Sequence, residues 1–431
     1  MHENRELEAL TETHLDDRFK GIPLGRSTTL GEIGAQGWNV AAGDLALPIV
    51  TLDEPALAHN VVTMQRYCDR HGARLAPHGK TTMAPQLFAR QLAHGAWAIT
   101  AATPTQVAVM RRFGVRRIIL ANELADAGAL SWIAAELAAD PAFEFICLVD
   151  DPGTVGKMED ILRGAASDVS LAVLVEIGHP GGRAGVRTVD EALEVARAVH
   201  RAAHLRLVGV EAFEGALASD VSAEALAVID ELCARVRQAT LALAAENLFE
   251  TPDVIVTAGG STYFDRVVAA LADWPQVEGD VTLVLRSGCY LSHDGGRYET
   301  QSPLAQRRGP DEDLRLANAL MLWGRVLSRP EPDVVLVGAG MRDAPVDIEL
   351  PRPRELRRGD DGAVRDLRAS ATTFRVMDQH TFVRVERDAE IRPGDIMTFD
   401  LSHPCTAFDK YRLIPVIDAQ ADVIDGVLTF F

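Results

Sequence analysis

From about residue 45 onward, short β-rich apolar runs alternate with longer stretches whose apolar residues recur at three and four. The β runs are Ile49 to Leu52, Ala73 to Pro77, Ala96 to Ala101, Arg117 to Ala121, Glu144 to Val149, Leu171 to Ile177, Leu205 to Val210, Val254 to Thr257 and Thr282 to Leu285. Helix-like segments such as Ala56 to His71, Thr105 to Phe113, Leu124 to Ala139, Val189 to Ala203 and Ala223 to Ala245 lie between them. Continuous apolar strands in βα units imply a parallel sheet covered by helices. About eight such units favour a closed (β/α)8 TIM-like barrel over an open doubly wound sheet.

After about residue 295 the rhythm changes. Arg297 to Arg315 reads as an irregular polar connection. It is followed by β-like runs at Val334 to Gly340, Thr372 to Met377, His380 to Val385, Asp395 to Asp400, Leu413 to Ile417 and Val423 to Phe431. Gly359-Asp360-Asp361-Gly362 and Arg392-Pro393-Gly394-Asp395 supply turns between them. The expected organisation is α/β: an N-terminal extension over residues 1–44 that the pattern does not place, a barrel over 45–295 and a C-terminal β domain over 296–431.

Composition narrows the function classes. The 431 residues carry 43 Lys+Arg against 62 Asp+Glu, a formal charge of −19. Such a chain lacks the cationic surplus with which a phosphate-backbone binder displaces counterions, so no nucleic-acid partner is expected. Almost all the cations are arginine. The lysines are Lys20, Lys80, Lys157 and Lys410 alone, so lysine chemistry has few candidates. The five cysteines are widely spaced and form no CxxC pair, which fits a reducing compartment better than a disulfide framework. No apolar run approaches the roughly 18–20 residues of a membrane span, and the first residues are polar, so a cytoplasmic protein without a membrane partner is expected.

In a parallel barrel the groups at the C-terminal ends of the strands converge on one rim. Read at those positions, the chain offers His78-Gly79-Lys80-Thr81, Thr100, Asn122, Asp150, Gly178-His179 with Arg183, Glu214, Gly259-Gly260-Ser261-Thr262 and Ser287-Gly288-Cys289-Tyr290. Lys80 follows an apolar strand, which places its amine in a cavity. A desolvated lysine has a lowered pKa and forms a Schiff base with a carbonyl; the plain alternative is a solvated or carboxylate-paired lysine. Lys157 and Lys410 have ordinary surface readings beside Glu159-Asp160 and Asp409.

Gly259-Gly260-Ser261-Thr262 ends a strand and opens a helix over Tyr263 to Ala272, a setting in which backbone N–H groups and hydroxyls hold a phosphate. A tight turn with a Ser or Thr cap accounts for the same residues. In Asp400-Leu401-Ser402-His403-Pro404-Cys405, an extended backbone would point His403 and Cys405 to one face, offering an imidazole and a thiolate to a metal. A buried cysteine beside an unrelated histidine is the competing reading.

With these clusters in chain order, residues 45 to 425 resemble the D-serine dehydratase-like and D-threonine aldolase-like family of alanine-racemase-type, fold-type-III pyridoxal-phosphate enzymes. The carrying residues are Pro77-His78-Gly79-Lys80-Thr81, Glu176-Ile177-Gly178 through Gly182-Arg183-Ala184-Gly185, Gly260-Ser261-Thr262, Arg286-Ser287-Gly288-Cys289-Tyr290 and His403-Pro404-Cys405. Thr82-Met83 depart from the resemblance, standing where a His-Lys pair often follows Lys-Thr.

The resemblance implies that Lys80 carries pyridoxal 5'-phosphate, with His78 among the cofactor-binding residues. It implies that Gly260, Ser261 and Thr262 hold the phosphate and that Arg183 lies near the cofactor, with the pyridine nitrogen as a candidate partner. Tyr290 would lie near cofactor or substrate, and His403 and Cys405 would bind Zn2+. A cysteine at the second metal position resembles the dehydratase branch; the aldolase branch has an aspartate there. The expected activity is an ammonia-lyase converting a D-β-hydroxy amino acid such as D-serine to a 2-oxo acid and ammonia. Aldol cleavage of the D-threonine type and racemisation are the alternatives on the same cofactor. A non-catalytic pyridoxal-phosphate carrier is the alternative of another class. The resemblance also implies a homodimer.

Overall fold

The computed structural model describes residues 5–431 apart from 165–168, 276, 278, 308–310, 312 and 359–362; the expected turn at 359–362 lies outside the described residues. The chain divides into two compact units. One comprises Gln65–Lys80 and Gln91–Gly288, the other Met1–Met64, Thr81–Arg90 and Cys289–Phe431.

The first unit is the parallel barrel. Its strands are β1 (Arg74–Leu75), β2 (Ile99–Ala101), β3 (Arg117–Glu123), β4 (Glu144–Val149), β5 (Leu171–Ile177), β6 (Leu205–Ala212), β7 (Asp253–Ala258) and β8 (Asp280–Leu285). They pair in chain order from β2 to β8, and β8 pairs with β1. Bonds from Trp97 N to Leu75 O (2.7 Å) and Thr100 N to Pro77 O (2.9 Å), with a parallel bridge between His78 and Thr100, join β1 to β2 and close the ring.

Apolar side chains fill the barrel because strand residues two apart share a face. Ala76, Ala98, Ile119, Ile146, Leu148, Ala172, Leu174, Val208, Ile255 and Val284 form one buried cluster. Gly209 on β6 permits the close approach of β7: a Cβ there would meet the Ile255 carbonyl oxygen at 1.8 Å.

The strand at Ile49–Asp53, which the apolar pattern reads as the first of the βα run, is not a barrel strand. It pairs antiparallel with Leu320–Glu331 and parallel with Leu413–Ile417 in the β sheet of the second unit. Its first four residues are buried, as a barrel strand's would be, so burial pattern alone does not distinguish the two sheets. Trp323 on the neighbouring strand is 1% exposed and donates its indole N–H to Thr51 Oγ1 at 2.8 Å.

The N-terminal segment is part of this second unit's core. Leu15, Ile22, Leu30, Ile33, Val40 and Leu45 cluster with Trp323, Ile396, Leu413 and Val423. The connection after residue 295 is less irregular than its polarity suggests: Arg297–Gln301 is a short helix, and Ser302 and Leu304 are each 1% exposed. Among the described residues no helix is long and apolar enough to cross a membrane.

Candidate active site

At the C-terminal ends of the barrel strands the inward ladder turns from apolar to polar. Two residues beyond Ala76 comes His78, beyond Ala98 Thr100, beyond Leu174 Glu176 and beyond Val284 Arg286. A cavity of about 260 Å³ opens there, lined by His78, Lys80, Ala102, Ala121, Asn122, Glu176, Arg183, Ala184, Glu211, Phe213, Gly260 and Arg286. Lys80 reaches it from a single 3-10 turn, Gly79–Thr81, directly after β1. Lys20 has a structural partner instead, donating to Asp343 at 2.9 Å, and Lys410 sits beside Asp409.

Arg183 is carried by the loop after β5. Bonds from Gly178 N to Val186 O and from Val186 N to Glu176 O, both 2.8 Å, pinch the neck of that loop. The Arg187 guanidinium gathers its carbonyls, donating to Arg183 O, Ala184 O and Gly185 O. A capping box between Thr188 and Glu191 then starts the next helix. The Arg183 guanidinium rests 4.6 Å from the ring centre of Phe213.

Four charged groups of this rim, Glu123, Glu176, Glu211 and Arg286, carry no site role in the sequence reading, although Glu176 and Arg286 stand in segments that carry the resemblance. Their signal is a charged residue at an inward position of an otherwise apolar strand, as in Leu171–Ile177, all of whose residues are buried. Arg286 and Glu211 form a buried ion pair, and Arg286 also donates to Ala212 O at 2.8 Å. Burial, the charge of Glu211 and a hydrogen bond with Glu123 push the Glu176 carboxyl up to about 10. Burial also raises Glu211, with Arg286 opposing it. The His78 imidazole is held well below its ordinary value by burial and by the charges of Lys80 and Arg286, so it is neutral at pH 7.

The strand-to-turn segment after β7 places Gly260 on the cavity wall, with Ser261 and Thr262 next along the chain and the helix Phe264–Leu271 following. Gly259 adopts a left-handed φ of 94°. The glycine N–H groups, expected to meet a phosphate, are instead taken by a carboxylate. Glu214 accepts from Gly259 N at 3.0 Å and from Gly260 N at 2.6 Å. Ser287 Oγ donates to Gly260 O at 2.8 Å and fixes the same turn.

Tyr290, His403 and Cys405 belong to the other unit. The His403 segment is not extended, which corrects the same-face argument made from spacing. His403 has a left-handed φ of 69° and caps the helix Pro404–Phe408, so Cys405 lies in that helix's first turn. His403 Nδ1 pairs with Asp347, whose second carboxylate oxygen accepts from Thr406 Oγ1 at 2.9 Å. Cys405 Sγ is 3.6 Å from Cys289 Sγ and 3.3 Å from Thr81 Oγ1. Among the described residues no group of three or more His, Cys, Asp or Glu side chains is placed to hold a metal ion.

The barrel cavity suits an anionic aldehyde cofactor. It offers a primary amine and two guanidinium groups, and it leaves buried atoms without protein partners: His78 Nδ1, Glu211 Oε2 and Arg286 Nε. Buried polar atoms of this kind are normally satisfied, so a polar ligand accounts for them.

The alanine racemase N-terminal domain model matches residues 52–269, just over half the chain, and a serine dehydratase domain model matches residues 319–417. The D-threonine aldolase of an Arthrobacter species is 24% identical over 384 residues, covering 88% of this chain and 90% of the relative. The 3-hydroxy-D-aspartate aldolase of Paracoccus denitrificans (strain Pd 1222) is 26% identical over 313 residues, covering 72% and 75%. Among solved structures, D-threonine aldolase from Filomicrobium marinum superposes with a TM-score of 0.73 at 23% identity, covering 91% of this chain and 96% of that one. The D-threo-3-hydroxyaspartate dehydratase of Delftia sp. HT23 gives 0.69 at 20%, covering 90% and 98%. The chain therefore belongs to the alanine racemase N-terminal-domain family, the fold-type-III enzymes that use pyridoxal 5'-phosphate.

Proposed function

We propose that the protein is a pyridoxal-phosphate and zinc-dependent ammonia-lyase that converts a D-β-hydroxy amino acid such as D-serine to a 2-oxo acid and ammonia. In this reading Lys80 holds the cofactor through Nζ, Ser261 and Thr262 meet its phosphate, and His78, Arg183 and Tyr290 contact the cofactor or substrate. His403 and Cys405 hold the metal. When bound, the cofactor supplies an electron sink for charge developing at Cα, and zinc supplies a Lewis acid for the β-oxygen.

The chain's own residues supply the rest. Lys80 would hold the cofactor through Nζ, and the same amine, when free, would accept the Cα proton. Arg183 and Arg286 provide positive charge on the cavity wall where anionic groups must be met. Glu176, protonated at neutral pH, adds no negative charge there. Glu214 spends its carboxylate on the Gly259 and Gly260 N–H groups and so shapes the phosphate turn without ligating the phosphate.

The observation that favours dehydration over aldol cleavage is the cysteine two residues after the histidine. Among the similar solved structures are a D-threo-3-hydroxyaspartate dehydratase with a cysteine-to-alanine mutation in a metal-free form, and one with a histidine-to-alanine mutation two positions earlier. The histidine and cysteine altered there have the same spacing as His403 and Cys405. Aldol cleavage is the second reading, favoured by the names of the Arthrobacter and Paracoccus relatives. Ammonia release from D-serine that is lost on chelation and restored by Zn2+ supports the proposal; glycine release in its place assigns the second reading. The proposal includes a homodimer, which sedimentation of the holoenzyme tests.

A further inference from the structure

We propose that Cys289 and Cys405 form a reversible redox modification site, which an oxidant of the peroxide class closes to a disulfide. The site stands on the sulfur pair itself; only its consequence for the metal rests on the assignment of Cys405 as a ligand.

The Sγ atoms of Cys289 and Cys405 are in contact at 3.6 Å, although the residues lie 116 positions apart in sequence. Both belong to the same compact unit. A disulfide holds its sulfurs about 2.05 Å apart, so a closure of about 1.5 Å, shared between two side chains, brings the pair to bonding distance.

The other three cysteines are poorly suited to oxidation. Cys68, Cys147 and Cys233 are buried, and burial pushes their thiols up, those of Cys68 and Cys233 to about 12. A thiol held protonated in apolar surroundings is a poor nucleophile. Cys289 is buried as well, but Cys405 is partly exposed. The pair therefore has one sulfur that an oxidant in solution reaches and a second in contact behind it, the arrangement of an attacking and a resolving thiol.

The Cys405 thiolate attacks one peroxide oxygen and breaks the O–O bond, which leaves a sulfenic acid on Cys405 and, after proton uptake, one water. The Cys289 thiol then attacks the sulfenic sulfur, forming the S–S bond; the departing hydroxide takes the thiol proton and leaves as the second water. The two thiols lose two electrons and the peroxide gains them. Thr81 Oγ1 lies 3.3 Å from Cys405 Sγ and 3.8 Å from Cys289 Sγ, and the Tyr298 hydroxyl hydrogen-bonds Cys289. Hydroxyl donors so placed stabilise negative charge on either sulfur. In a reducing compartment such a disulfide is transient and is reopened by thiol exchange. While closed, it leaves Cys405 without a thiolate to offer a metal, so oxidation releases zinc.

Treatment of the holoenzyme with a modest excess of hydrogen peroxide, then digestion without reductant and mass spectrometry, tests the site. The expected product joins the Cys289 and Cys405 peptides and is two hydrogens lighter than their sum. Two of the five thiols should disappear and return with dithiothreitol. In Cys289→Ser, which lacks the resolving thiol, the same treatment should carry Cys405 to the sulfinic acid, which dithiothreitol does not reverse. Thiol loss without the cross-link overturns the proposal, as does oxidation of Cys68, Cys147 and Cys233 as fast as that of Cys405. A cross-linked protein that keeps its zinc upholds the disulfide and overturns Cys405 as a metal ligand.

Discussion

Glu176 on β5 and Glu211 on β6 are register partners, and Arg286 grips Glu211. Burial, then the Glu211 charge, then the hydrogen bond with Glu123 push Glu176 from 4.5 to about 10. The native state therefore binds a proton that the unfolded chain releases, and stability from this group falls as pH rises through that window. Glu176→Gln removes the proton-linked loss. Its Tm relative to the wild type should rise between pH 5 and pH 9, by about 2–4 °C for each kcal/mol relieved in a domain of this size. A difference that does not change with pH contradicts the assignment of Glu176 as a buried acid.

The Glu211–Arg286 pair should behave as one unit. Arg286→Ala leaves a buried carboxylate without its cation and should cost about 3–5 kcal/mol in denaturant unfolding. Pairing it with Glu211→Gln removes the stranded charge, so the double variant should be more stable than Arg286→Ala alone. Simple additivity of the two losses contradicts the coupling.

Lys80→Ala should abolish visible cofactor absorbance and lower turnover by at least about 1000-fold, while far-ultraviolet circular dichroism stays unchanged. A yellow variant with full turnover contradicts the role of this amine.

Cys405→Ala should lose zinc and ammonia release but keep the visible absorbance of the Lys80-bound cofactor. Metal analysis and absorbance on the same sample check both. Unchanged zinc content and rate remove the metal from the account.

The pattern of apolar runs was sufficient for the barrel because eight of its nine early strands do lie in one ring, and their ends gather His78, Lys80, Arg183 and Gly260 around one cavity. It misassigned Ile49–Asp53, since a strand buried on both faces carries no mark of which sheet it joins. The carboxylates Glu123 and Glu211 carry no mark in the sequence, and Glu176 stands in a family-like segment without a role, for a related reason: their meaning depends on inward facing in the ring, which no single strand reveals. His403 and Cys405 were legible as donors by type. Their geometry was not, because the left-handed backbone at His403 and the helix after it replace the extended segment that spacing suggests. The proximity of Cys289 to Cys405 is a tertiary fact between positions 116 residues apart.

The central claim is most directly tested by the products that the zinc-loaded, pyridoxal-phosphate-bound enzyme forms from D-serine and D-threo-3-hydroxyaspartate. The account predicts ammonia and a 2-oxo acid in equal amounts from at least one of them, without glycine and without the L-enantiomer. Glycine with an aldehyde product, or interconversion of enantiomers without ammonia, would contradict it.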